Sequence, residues 1–262
     1  MTPNDGRGTG TIMTRSVWVV KFGGSLLSDD KARKAFLRQV ARLARRRPVA
    51  LVHGGGPEIS AALQKMGVKP VFVKGRRVTD DAAMTVVEGV LSGQVNKKLV
   101  GELCSLGVRA VGLSGRDGGL LLARPVKGLG RVGEPLRAAP GILRTLLQGK
   151  FLPVISSVAS DARGRALNVN ADEAAAAVAV WLKADRLVYL TDVAGVLDAR
   201  KKTIPKIHTR DIQGLIDRGV VTGGMIPKVL SCRRAIRKGV REIDIIDGRA
   251  GLLKMKGTRL LP

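Results

Sequence analysis

The sequence predicts an α/β fold, a three-layer α/β/α sandwich around a mainly parallel central sheet. Three observations carry this. Short apolar runs alternate with helical segments along most of the chain, the pattern of strands covered by helices on both faces. Some runs are apolar without alternation, as in Val49-Ala50-Leu51-Val52, which suits strands buried on both sides. Several runs also end in glycine- or serine-bearing loops at Lys21-Gly24, Gly54-Gly56, Ser114-Asp117 and Asp192-Gly195, and open parallel sheets bind ligands at the carboxyl ends of their strands.

The elements follow in order. Residues 1–16 form a Gly-rich stretch without the apolar core of a signal peptide, and they read as a flexible leader. The apolar strand VWVVKF leads into Gly23-Gly24-Ser25. In DKARKAFLRQVARLARRR, Phe36, Leu37, Val40 and Leu43 share one helical face. Strand VALVHG and its glycines lead to helix PEISAALQKMG, with Pro57 at its start, and then to a short KPVFV. A long helical stretch runs from Thr79, which reads as its N-cap, to Gly107, with Asp80 and Asp81 in the first turn. Strand RAVGLS follows, and the Gly- and Pro-rich Leu120–Pro140 reads as hairpins. Helix GILRTLLQG, strand FLPVISSV and the polar turn SDARGR precede the Ala-rich helix ADEAAAAVAVWLKA. Strand DRLVYLTDV enters the loop AGVLD; after HTRDIQGLIDRG and helix MIPKVLSCRRAIRKG, REIDII makes a last strand.

Composition excludes several classes. A chain of 262 residues holds one large domain or two lobes with ample core. Cys104 and Cys232 give neither a disulfide framework nor metal-ligand spacing, and they suit a reducing cytoplasm. No apolar run reaches the roughly 20 residues that span a bilayer. The net charge of +25 raises nucleic acid as a partner. The basic residues are dispersed, however, and aromatics that would stack bases are scarce, so nucleic acid is disfavoured. A basic surface around an anion-handling site fits better.

Gly54-Gly55-Gly56 between a buried strand and a helix can hold phosphate at the helix N-terminus, or act as an oxyanion hole like the HGGG element of esterases. A hydrolase triad is poorly supported: GLSGR departs from the nucleophile-elbow pattern at Arg116, and His208 lies in a polar stretch. His53 reads as a capped or packed imidazole. GLGRVG, residues 128–133, matches a dinucleotide fingerprint in letters, but Pro135 and Pro140 interrupt the helix it must open. What remains is glycine loops with Lys21, Lys228 and Asp172. Two lysines neutralise charge that spreads over oxygens in phosphoryl transfer, and an aspartate between them would hold both ammonium groups.

In order along the chain, VKFGGS, HGGGPEI, GRRVT, NKKLV, GLSGRDGG, LPVISS, NVNADEAA, LTDVAGVLD, GGMIPK and GTRL resemble the amino acid kinase family, and within it the branch that phosphorylates N-acetyl-L-glutamate. The resemblance implies the amino acid kinase fold, with residues 17–160 as an N-terminal lobe for the amino acid and dimerisation, and 161–262 as a C-terminal lobe for ATP. It implies that Lys21 and Lys228 stabilise the transition state and that Asp172 organises them. Gly23 and Gly24 would line the phosphates, and Gly54 and Gly55 the transferred group and substrate. Arg77 would clamp the substrate α-carboxylate, where a planar fork suits a carboxylate, with Asn168 beside it. Asp192, Val193, Ala194, Gly195, Val196 and Leu197, with Val220, Val221 and Thr222, resemble the adenine and ribose site. The cofactors implied are ATP and Mg²⁺, with no protein metal cage. The nucleophile would be the ionised γ-carboxylate, so no general base is needed.

Ser60 stands where many relatives carry Asn, and Pro227 beside Lys228 requires a helix start. The expected assembly is a cytoplasmic homodimer acting on small molecules. Residues 1–16 lack the apolar stripe of the helix that links arginine-inhibited relatives into hexamers, so at most weak arginine sensitivity is expected. The rival reading is a kinase of carrier-linked aminoadipate or glutamate, with an acidic carrier protein as partner. GRRVT and NVNAD favour the free substrate.

Overall fold

The computed structural model describes residues 17–73, 75–223 and 225–262. The expected leader and the hexamer-linking question attached to it lie outside the described residues, as does Gly224. In chain order the elements are β1 (Trp18–Phe22), α1 (Ser25–Ser28), α2 (Asp30–Ala44), β2 (Val49–His53), α3 (Gly56–Lys65), β3 (Phe72–Val73), β4 (Arg76–Arg77), α4 (Asp81–Glu88), a π-helical segment (Gly89–Val95) and α5 (Asn96–Ser105). There follow β5 (Ala110–Ser114), β6 (Leu121–Pro125), β7 (Val132–Ala138), α6 (Gly141–Gln148), β8 (Leu152–Ser156), β9 (Val158–Ser160), β10 (Ala166–Val169) and α7 (Ala171–Leu182). The last part comprises β11 (Arg186–Thr191), β12 (Lys206–His208), α8 (Ile212–Asp217), α9 (Met225–Arg237), β13 (Glu242–Asp247) and β14 (Gly257–Leu261).

Among the described residues, an eight-stranded sheet runs in the order β12-β14-β13-β11-β1-β2-β8-β5. Its pairs are parallel except β13 with β14. The central strands are apolar on both faces because helices cover both. Val19, Ala50, Val52, Leu187 and Tyr189 pack into one core, whereas Val20, Phe22, Leu51, Val188 and Leu190 pack into the other. This is the period of two expected of a strand. The first core holds α7 and α9, the second α2, the π-helical segment and α5, giving the three layers. The Gly- and Pro-rich stretch forms the β6–β7 hairpin, which closes with β9 and β10 into a small four-stranded barrel over α7.

Three local expectations are corrected. Asp80, not Thr79, caps α4: the helix begins at Asp81 and the Asp80 carboxylate accepts from the Ala83 N–H, while the Thr79 hydroxyl donates to the Arg77 carbonyl. The long helix is not uniformly α-helical, because the π-helical Gly89–Val95 lies inside it. REIDII is not the last strand. β14 pairs antiparallel with β13 and carries β12 at the sheet edge. The two lobes expected from sequence share this one sheet, with β1 hydrogen-bonded to β11.

Arg33 ties the helical layer together from a buried position. It is 2% exposed, makes a two-pronged contact with Glu102 of α5, and donates to the Leu27 carbonyl at 3.1 Å. Arg33→Ala leaves the Leu27 carbonyl without its donor and a void between α2 and α5. The expected loss is about 2–3 kcal/mol, measured as a lower urea midpoint with an unchanged m-value.

Candidate active site

The site begins with one register. Lys21 lies on β1 next to the strand's end, paired with Val52 of β2 on one side and Tyr189 of β11 on the other. Its ammonium lies 3.0 Å from Oδ1 of Asp172. Asp172 occupies the first turn of α7, where Asn170 caps the helix by accepting from the Asp172 N–H at 2.8 Å. From the opposite side, Lys228 in the first turn of α9 donates to Oδ2 of Asp172. The Asp172 carboxyl thus bridges two ammonium groups. Burial works to raise its pKa, but Lys21 and Lys228 outweigh burial and hold it well below the usual carboxylate range.

Tyr189, the chain's one tyrosine, supports all three groups. It neighbours Lys21 in the sheet, donates its hydroxyl to the Asp172 carbonyl at 3.1 Å, and lies with its ring 5.1 Å from the Lys228 ammonium. Burial pushes its phenol well above the ordinary pKa, so it stays a donor.

A cleft of about 240 Å³ opens beside this triad, lined by Lys21, Asp172, Gly23, Gly24, Gly54, Gly55, Gly56, Arg76, Arg77 and Asn168 among others. The helices α3 and α7 start at its walls, so their positive ends face it. Gly55 must be glycine, because a Cβ there would lie 2.7 Å from the Leu91 side chain. One detail of the expectation changes. The Gly54 N–H donates to the Phe22 carbonyl at 3.1 Å, so Gly54 offers the cleft a bare Cα rather than an amide.

Arg77 is 6% exposed, stacked over Phe72 at 4.7 Å, and pinned by Nη2 to the Gly56 carbonyl and the Ser60 hydroxyl. Its Nη1 is buried without a hydrogen-bond partner. The guanidinium is thereby fixed beside the cleft that Arg77 lines, with one of its donors unused. Ser60, the position that departs from the common Asn, therefore bears on Arg77. Asn168 donates to the Thr79 hydroxyl at 3.2 Å, which fixes its amide.

The residues expected at the adenine and ribose do not line this cleft. Asp192, Val193 and Ala194 are exposed just after β11, and Thr222 is exposed between α8 and α9. Gly195, at φ +130°, packs against Thr258, whose hydroxyl accepts from the Val196 N–H at 2.8 Å. Val196 and Val221 are buried in the core, so only their backbone can face a nucleotide. Leu197 and Val220 are half-buried.

Several residues of the site were not singled out from the sequence. Arg76 and Glu173 form an ion pair at 2.6 Å beside Arg77 and Asp172, and their adjacency to those residues was the available signal. Tyr189 carried its own signal as the lone tyrosine at a strand end. Thr79 was read only as a helix cap and Ser60 only as a departure from the family pattern, and neither reading pointed to their contacts with Arg77 and Asn168.

The fold and site define an α/β protein whose mainly parallel sheet brings paired cations and helix N-termini to one cleft. The chain matches the amino acid kinase family over residues 16–247. It is 45% identical over 240 residues to an acetylglutamate kinase of Endomicrobium trichonymphae, covering 92% of this chain and 96% of that one. It is 46% identical over 246 residues to an acetylglutamate kinase of Geobacter sulfurreducens, covering 88% and 84% respectively. A crystal structure of a Streptococcus mutans protein superposes with a TM-score of 0.82 at 30% identity, covering 94% of this chain and 98% of that one. The chain belongs to the amino acid kinase family.

His53 supplies a test of the site's burial. Desolvation pushes its pKa from 6.5 down to about 4, against a hydrogen bond to Gly54 that raises it. Between those values the unfolded chain binds a proton that the folded chain refuses. The stability associated with the neutral ring is complete above pH 6.5 and is lost as pH falls toward 4. The expected slope is about 1.4 kcal/mol per pH unit in that window. Urea unfolding across the window should show it in the native chain and not in His53→Asn.

Proposed function

We propose that this chain transfers the γ-phosphoryl group of ATP to the γ-carboxylate of N-acetyl-L-glutamate, giving N-acetyl-L-glutamyl 5-phosphate and ADP, a step of arginine biosynthesis. The observation that carries the reading is the Lys21–Asp172–Lys228 bridge beside a cleft that also holds a buried guanidinium with a free donor. The relatives named above support the same substrate.

In this reading Arg77 and Asn168 hold the substrate's α-carboxylate and acyl region and aim its γ-carboxylate at the phosphorus. The new bond forms from a carboxylate oxygen to the γ-phosphorus. The bond from that phosphorus to the β–γ bridging oxygen breaks, and its electron pair leaves on ADP. No proton has to move, so no catalytic histidine is needed. Lys21 and Lys228 neutralise charge on the transferred oxygens, and Asp172 keeps the two ammonium groups from drifting apart. Gly23, Gly24 and Gly55 allow the phosphates to approach the backbone. Asp192, Val193, Ala194, Gly195, Val196, Leu197, Val220, Val221 and Thr222 would form the nucleotide's shelf, putting the amino acid in the 17–160 lobe and ATP in the 161–262 lobe.

Among the described residues no three His, Cys, Asp or Glu side chains converge as a metal cage. In this reading Mg²⁺ would be held mainly by the phosphates and water, and would shield their charge. Among the described residues no helix is long and apolar enough to cross a membrane. In this reading the chain works as a homodimer in the cytoplasm, where ATP and the small acid are both at hand.

Lys21→Ala and Lys228→Ala should each cut kcat about 10²–10³-fold with smaller changes in KM. Asp172→Ala should behave similarly. Turnover at the native rate in any of the three would end the assignment. Arg77→Ala should raise KM for N-acetylglutamate and leave KM for ATP nearly unchanged. A fall in ATP affinity instead would reverse the lobes. Negligible activity on the free acid, with salt-sensitive binding to an acidic carrier protein, would favour the carrier-linked substrate.

A further inference from the structure

His53 ends β2 directly before the glycine loop, and it is 0% exposed. A buried imidazole needs partners for both nitrogens, and the partners here fix which one carries the proton. Asn96, also fully buried, opens α5. Its Nδ2 lies 2.9 Å from the Val154 carbonyl and 3.2 Å from the Leu113 carbonyl, both of which can only accept. That orients the Asn96 amide with its N–H₂ group inward. The same Nδ2 shares its two N–H groups among these carbonyls and His53 Nε2 at 3.0 Å, and because an amide NH₂ can only donate, Nε2 faces it with its lone pair. The ring proton is then on Nδ1, which donates to the Gly54 carbonyl at 2.9 Å.

That bond decides the direction of the next peptide. The described chain has no cis peptide, and a trans peptide points its N–H opposite to its C=O. With the Gly54 carbonyl turned to the buried imidazole, the Gly55 N–H turns the other way, toward the cleft that Gly54 and Gly55 line. The π-helical Gly89–Val95 immediately before Asn96 completes the support. Leu91 lies 2.7 Å and Val95 3.5 Å from where a Cβ of Gly55 would be, so one segment packs against Gly55 and delivers Asn96 to His53.

We propose that His53 and Asn96 form a positioning pair that locks the Gly54–Gly55 peptide and presents the Gly55 N–H to the phosphoryl group in transit. This rests on the phosphotransfer reading above. His53 touches neither substrate, so it is a positioning residue. Its neutral state suits that role, because burial keeps the ring uncharged down to about pH 4 and the donor to Gly54 persists throughout the neutral range.

The chain has only two histidines, His53 and His208, so ¹⁵N-imidazole NMR can resolve each ring. The expected result is a neutral Nδ1–H tautomer for His53. Kinetics then separate positioning from packing. His53→Asn puts an amide donor close to the place of Nδ1 and should keep turnover near the native rate. His53→Gln puts its amide near Nε2, leaves the Gly54 carbonyl without a donor, and should lower kcat about 10²-fold with KM for N-acetylglutamate changed far less. Asn96→Ala, which leaves the β2 side of the loop intact, should shift His53 toward the Nε2–H tautomer and lower kcat in parallel. An Nε2–H tautomer in the native chain would overturn the proposal. So would native turnover in His53→Gln or Asn96→Ala, or equal kcat losses in His53→Asn and His53→Gln that track their loss of Tm. If the native chain fails to phosphorylate N-acetylglutamate, the functional reading fails, while the tautomer measurement still reports on the pair.

Discussion

The contact on which the site depends is the Asp172 carboxylate between two ammonium groups. Without it, Lys21 and Lys228 would be like charges brought together on separate elements, β1 and α9, with nothing to hold them. With it, the pair becomes a fixed cationic jaw. The geometry is assembled from three independent pieces of secondary structure. β1 supplies one lysine through its register in the sheet, the capped first turn of α7 supplies the carboxylate, and the first turn of α9 supplies the second lysine. Tyr189 couples these pieces from beneath, through a hydrogen bond to the α7 backbone and a ring face under Lys228.

Around that jaw the fold concentrates positive potential. The N-termini of α3 and α7 face the cleft, as do Arg76 and Arg77. The two arginines are differently employed. Arg76 is paired with Glu173, whereas Arg77 keeps a buried donor without a partner. Burial lowers the Arg77 pKa, although an arginine remains charged through the neutral range. An unsatisfied buried guanidinium costs stability in the free protein, and an arriving carboxylate would relieve that cost. Ser60 and Phe72 hold the rest of that side chain in place.

Much of this was legible in the sequence, for identifiable reasons. Unbroken apolar runs such as VALV marked strands buried on both faces, and glycine loops after them marked the ligand end of the sheet. Lys21, Asp172 and Lys228 were identifiable as a set because each sits beside a loop or helix start. What escaped the sequence depends on contacts between distant segments. The cap falls at Asp80 rather than Thr79 because α4 begins one residue later than the letters suggest, at Asp81. The π-helical segment has no periodicity signal distinct from an α-helix over so few residues. β14 was missed because GTRLL is short and lies at the end of the chain, and its strand character comes from pairing with β13 and β12. The engagement of the Gly54 amide by Phe22 is likewise a matter of sheet geometry, invisible in the letters HGGG.

Lys21, Asp172 and Lys228 work as one unit, and a double-mutant cycle on kcat between Lys21→Met and Asp172→Asn tests this most directly. If Asp172 acts by holding the lysines, removing Lys21 after Asp172 has gone should cost little more, and the double variant should be about as slow as Asp172→Asn alone. Losses that multiply, as for two groups acting separately on the transition state, would contradict it.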